Sequence, residues 1–218
     1  MKELKYIFLL AGALSLASCE SWLDEDPQYT INTKTQFSTV ENAKQALMGC
    51  YGYMSADNAY GQAWQEVTFG YCGFGWSQTN GSSTDLLVSM DGGIDETINT
   101  MAWRGMYKVI GETNAFIANI ADSPLESADK LPMEAAARFL RALAYYNLAV
   151  TYGDVPLKTT PSAHDGVAVP RSPKNEVFEL VRTDWEFAYE NLPEKDDDGF
   201  ATKWAAKAYL GKLYHTLG

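Results

Sequence analysis

The chain has 218 residues, 46% of them hydrophobic, and sets 17 Lys and Arg against 28 Asp and Glu for a net charge of −11. That length suffices for one or two domains with a buried core, and the acidic balance excludes nucleic acid, whose affinity rests on Lys and Arg meeting phosphate. No apolar run is long enough to span a bilayer as a helix.

At the amino end, Lys2 and Lys5 precede Ile7–Ala17, eleven apolar or small residues in a row. At ~1.5 Å per residue this run makes ~16 Å of helix, about half a bilayer core. It fits the apolar region of a secretory signal peptide. The run closes on Leu16-Ala17-Ser18-Cys19, which is similar to a bacterial lipobox: a branched apolar residue, two small ones, then the cysteine to be lipidated. The thiol is the nucleophile that takes a diacylglycerol, and the small flanking side chains admit a peptidase to the Ser18–Cys19 bond. The expectation is therefore a lipoprotein signal peptide over residues 1–18 and lipidation at Cys19; the alternative is an ordinary signal peptide with an incidental cysteine. Two acyl chains anchor stably where one holds only marginally. Glu20, Asp24, Glu25 and Asp26 then open a tether, residues 19–37, whose charge keeps it off an anionic surface.

Ser38-Thr39-Val40-Glu41 reads as a capping box. The helix it opens has a stripe of Ala43, Ala46, Leu47, Cys50, Tyr51 and Met54, which is one helical face. Cys50 lies on that face, so both a buried free thiol and a disulfide to Cys72 stay open. Periodicity disappears from Asp57 to about Asp95, where glycine is dense. It returns with Ile98, Trp103, Tyr107, Ile110, Asn114, Ile117 and Ala121. After a loop holding Pro124 and Pro132, a helix is expected from about Met133 to Tyr152. Gly153 stands as its left-handed terminator and Pro156 lies beyond. Residues 154–172 read as a loop. Ser172-Pro173 reads as a cap with proline in the first turn, opening a helix whose stripe is Val177, Val181, Trp185, Ala188 and Leu192. Pro193 ends it, residues 196–199 turn the chain, and Thr202 caps a last helix. Arg138 and Arg141 are expected to pair with acids such as Glu134 or Glu190.

Residues 60–85 combine Tyr60, Trp64, Phe69, Tyr71, Phe74 and Trp76 with glycines, then Gln78, Asn80 and Ser82. Sugars present flat C–H faces and hydroxyl edges; rings stack on the first, and amides or hydroxyls pair with the second. Tyr71, Phe74, Trp76, Gln78 and Asn80 are the candidate ligand contacts, with Trp76 and Asn80 foremost and Trp64 assigned to the core. The alternative is that these rings pack the loop onto the helices. No triad or metal pattern is evident, and a glycosidase's pair of carboxylates, the weakest of the readings, is not distinguishable among 28 acids. His164 and His215 are the two histidines, His164 has no evident nucleophile, and no zinc spacing occurs. The stretch 194–200 suggests a calcium loop, but Ala205 falls where the bidentate Glu would stand, so a solvated turn is expected and no cofactor is assigned.

Three helices share a local signature: Ile110-Gly111-x-x-Asn114, Arg141-Ala142-x-x-Tyr145 and Leu210-Gly211-x-x-Tyr214. This is similar to the core of tetratricopeptide helices, in which a small residue lets the paired helix approach. The last helix ends where such a unit would turn to its second helix. Taken with the lipobox and ESWLDEDP after it, the WxxxYxxIxxxN helix from Trp103, and EAAARFLRALAYYNLAVTYGDVPL at 134–157, the chain resembles the SusD/RagB-like outer-membrane lipoproteins of nutrient uptake. Phe200 and Gly211 depart from the family's commoner arginine and alanine. The resemblance implies a mainly α fold with tetratricopeptide-like helix pairs and an irregular aromatic and glycine-rich region. Residues 38–218 would be the N-terminal part of that fold, since members run to more than about twice this length. It further implies a surface lipoprotein that performs no chemistry and binds oligosaccharide or peptide over a SusC-like TonB-dependent transporter. A lipid-anchored scaffold for protein partners alone is the alternative.

Overall fold

The computed structural model describes residues 33–70, 72, 75, 89–90, 97–161 and 169–218. The signal segment, Cys19 and the tether up to residue 32 lie outside these residues. So do Tyr71, Phe74, Trp76, Gln78, Asn80 and His164.

The apolar stripes resolve into helices. A short helix α1 (Thr33–Gln36) leads to α2 (Val40–Ser55), which buries Ala43, Leu47, Cys50 and Met54. Its cap lies one residue later than the capping box suggests. Thr39 accepts from the Asn42 amide at 3.2 Å, because the Ser38 hydroxyl is taken by the Thr35 carbonyl at 2.8 Å. A π-helical turn (Asp57–Gly61) and helix α3 (Ala63–Gly70) follow inside the region without periodicity, where elements of this length show no sequence period. Trp64 is buried, as expected.

Helices α4 (Thr97–Ala121) and α5 (Ser127–Tyr152) form a hairpin. α5 begins six residues before the expected Met133 and takes Pro132 inside it. Its first turns are mostly exposed, so the carbonyl opposite the missing proline N–H faces water rather than core. From Ala135 to Ala149 every residue but Arg138 is buried. A helix apolar all round belongs at the centre, and α5 lies against α2, α4 and helix α6 (Lys174–Asn191). Gly153 ends it at φ 75°, its N–H donating to the Ala149 carbonyl at 3.1 Å.

The expected loop 154–172 contains a small antiparallel pair, β1 (Val155–Pro156) and β2 (Arg171–Ser172). Ser172 therefore sits in a strand and does not cap α6. The cap comes from Asp154, whose carboxylate accepts from the Lys174 amide at 2.8 Å across the hairpin. Helix α6 buries Val177, Phe178, Val181, Trp185 and Ala188 against α5, and α7 (Lys203–Leu217) packs on α6. Thr202 stands at the N-cap of α7, with its carbonyl accepting from Ala205 and Ala206.

Buried charge ties the helices together. Arg141 holds both carboxylate oxygens of Asp184, Nε to Oδ2 and Nη2 to Oδ1, each at 2.8 Å. Its Nη1 donates to Asn114 Oδ1 at 2.8 Å. Arg138 pairs with Glu134 as expected. Asp184, from α6, replaces Glu190 as the second acid. Cys50 is a buried free thiol and Cys72 an exposed one.

Candidate functional site

The α4 stripe does not all face the core. Trp103, Tyr107, Ile110, Gly111 and Asn114 recur at helical spacing and form one wall of a cleft of about 270 Å³; Pro156, Lys158 and Val169 form the other. That volume lies at the small end of the ~300–1,000 Å³ typical of small-molecule sites. It suits one ring rather than a chain of them.

Each wall is held in place. The Tyr107 hydroxyl donates to the Pro156 carbonyl at 2.7 Å, joining α4 to β1. Asn114 Nδ2 donates to the carbonyls of Lys158 at 2.9 Å and Thr160 at 3.2 Å. Because Arg141 holds the same amide from behind, the relay Asp184–Arg141–Asn114 runs from α6 through α5 to the cleft wall. Tyr145, on α5, accepts from the Lys158 amide at 2.6 Å and donates to its carbonyl at 2.8 Å. The backbone of Lys158 is thus fixed independently of its side chain.

The aromatic wall is equally built. The Trp103 and Tyr107 ring centroids are 5.0 Å apart at 44°, and Tyr152 meets Trp103 edge-on at 5.1 Å. Burial raises the Tyr107 hydroxyl pKa well above the usual phenolic range; neighbouring Tyr145 adds to this, and the positive charge of Arg171 opposes it. This phenol stays a neutral donor near pH 7. The cleft's polar side chains are an indole, an amide, an ammonium and a phenol. Groups of this kind can hold and orient a ligand.

The remaining sequence candidates divide. Tyr60 is half-buried and its hydroxyl accepts from Asn147 Nδ2 at 2.7 Å, so it is a packing residue, whereas Phe69 is 57% exposed. The acidic turn is closed by Asp196, whose Oδ1 accepts from the Asp198 and Phe200 amides at 2.9 Å. Lys44 holds Asp198 at 3.0 Å and Lys203 holds Glu194. His215 is exposed on the last turn of α7. No group of three or more His, Cys, Asp or Glu disposed around a metal occurs among the described residues. Among the small residues of the helical signature, Ala142 is fully buried and Gly111 lines the cleft, while Gly211 is exposed with open space around it. Sequence reasoning noted Trp103, Tyr107 and Asn114 only as helix-packing residues, and Lys158 and Val169 not at all.

A family model described as "Starch-binding associating with outer membrane" matches residues 21–215. SusD-like protein P25 of Formosa agariphila is 25% identical over 96% of this chain and 42% of its own length. A solved SusD superfamily protein of Bacteroides thetaiotaomicron superposes with a TM-score of 0.71 at 25% identity, covering 81% of this chain and 42% of that one. A structure solved with xylogluco-oligosaccharide aligns at 26% identity and a TM-score of 0.66, over 78% of this chain and 34% of that one. The chain spans 42–44% of the length of the Formosa relatives P25 and P2. On the family match, the chain belongs to the SusD-like family.

Proposed function

We propose that the chain serves as a surface-exposed, lipid-anchored receptor that captures oligosaccharide and hands it to a SusC-like TonB-dependent transporter. It is a binding protein and not an enzyme. Residues 1–18 act as the export signal, Cys19 carries the lipid, and residues 19–37 are the tether to the outer membrane. The observation that carries this reading is the family match over residues 21–215, joined by the likeness to a structure holding xylogluco-oligosaccharide. No helix among the described residues is long and apolar enough to cross a membrane, so the reading places attachment on Cys19.

Affinity electrophoresis through gels containing single polysaccharides tests it. The chain is expected to be retarded by at least one polysaccharide, and Trp76→Ala to weaken that retardation about tenfold, the loss of one stacked ring. Unchanged migration of Trp76→Ala would remove Trp76 from the site. A second reading, a scaffold for protein partners alone, draws on the half-exposed Trp204, Tyr214 and Leu217 of α7. It requires tryptophan fluorescence that responds to a partner protein and ignores every glycan.

A further inference from the structure

Two cations stand at the cleft, one on its wall and one on the strand paired with that wall. Lys44, Lys108, Arg138, Arg141 and Arg182 each hold a carboxylate. Lys158, which lines the cleft, makes no ion pair among the described residues. Arg171 makes none there either; it pairs with Pro156 across the hairpin, and its charge bears on the Tyr107 hydroxyl. Two cations without a described acid therefore flank an aromatic wall, in a protein of net charge −11. Positive charge beside an aromatic wall offers an anionic ligand a partner there.

We propose that this cleft is a subsite for one acidic sugar ring, a hexuronate, whose carboxylate is taken by Lys158 and Arg171 while its C–H face packs on the Trp103–Tyr107 wall. The planar fork of an arginine matches a carboxylate, and a charged hydrogen bond is stronger than a neutral one. The cleft volume of about 270 Å³ holds the ring to a single unit. Asn114 takes no part in recognition, since both ends of its amide are engaged by Arg141 and by the carbonyls of Lys158 and Thr160. It holds the Lys158 segment in place. This assignment rests on the glycan-capture reading and narrows it to a class of sugar.

The test is calorimetric titration of the whole chain with trigalacturonate, with its methyl ester and with maltotriose. The ester keeps the shape and removes the charge. The acid is expected to bind at least about tenfold tighter than the ester, the worth of one charged hydrogen bond, and to lose that margin at high salt. Lys158→Gln should erase the margin and Lys158→Arg retain it. Both should leave the unfolding midpoint unchanged, because Tyr145 holds the Lys158 backbone. Equal binding of acid and ester, or a margin that survives Lys158→Gln, overturns the subsite and leaves the receptor reading intact. Failure of all three probes alongside retardation by a neutral polysaccharide also overturns the subsite alone. Failure of the probes together with every polysaccharide gel removes both.

Discussion

Asp184 is fully buried, and its carboxylate is held by two arginines of the neighbouring helix. Removing one partner of a buried ion pair strands the other charge, which costs about 3–5 kcal/mol, whereas replacing both by apolar groups is often neutral. Asp184→Ala is therefore expected to lose about 3–5 kcal/mol in urea unfolding, and Arg141→Met with Asp184→Leu to recover most of it. A loss below about 1 kcal/mol in the single variant would contradict the role given to this pair. The residue scale also shows what sequence can resolve. Glu134 and Arg138 stand one helical turn apart and are legible as a pair. Asp184 lies 43 residues from Arg141, and nothing local marks it among the many acids of the chain. The same distance hides the cap of α6, since Asp154 reaches Lys174 only because β1 and β2 pair.

Among elements, the contact between α4 and the π-helical turn is set by an absent side chain. A Cβ on Gly105 would lie 1.9 Å from the Asn58 carbonyl oxygen and 2.4 Å from its carbon, both backbone atoms. Backbone cannot rotate away as a side chain does, so the turn must lift off α4. Gly105→Ala, which raises helix propensity, is expected instead to destabilise by about 1–3 kcal/mol or more through overpacking. Faster amide exchange at Ala59 and Gly61, whose N–H groups bond within the turn, is the accompanying signature. A variant as stable as the parent would show that the approach is looser than drawn. The α4 helix was readable because its apolar period runs through an element of 25 residues, although part of that stripe lines the cleft instead of the core. The π-helical turn, α3 and the two-residue strands were not, because each is shorter than the window in which a period exists. Pro132 misled the α5 boundary for a related reason: a single residue argued against six that the hairpin with α4 recruits into helix.

The whole molecule answers to pH through groups spread over several helices. Burial pushes the Cys50 thiol from 9.0 up to about 12, with the Glu112 charge adding to it. Burial likewise pushes Tyr51 from 10.0 to about 12, against the hydrogen bond its hydroxyl accepts from the Ala201 amide. Tyr60 and Tyr107 are raised from the same cause. In each case the fold favours the protonated form. The unfolded chain releases these protons first, so between about 9 and 12 it binds fewer protons than the folded chain and stability falls as pH rises. Urea midpoints should decline across that window, and Cys72 should alkylate at neutral pH while Cys50 does not until the chain unfolds. A midpoint that holds or rises there would contradict the burial of these groups.

The helical architecture was legible at this scale because one long central helix, closed at Gly153, announces it. The cleft was not, because residues 103–114 meet Pro156, Lys158 and Val169 only once β1 and β2 have paired. The aromatic candidates from Tyr71 to Asn80 lie outside the described residues, so experiment must weigh them against the cleft. The most direct test of the central claim is retention of a fluorescent oligosaccharide by intact cells that produce the chain, with surface protein counted by antibody. Capture from a lipid anchor predicts a cell-bound signal that disappears in Cys19→Ala as protein moves to the medium. Antibody-positive cells that hold no labelled sugar from any polysaccharide class would contradict it.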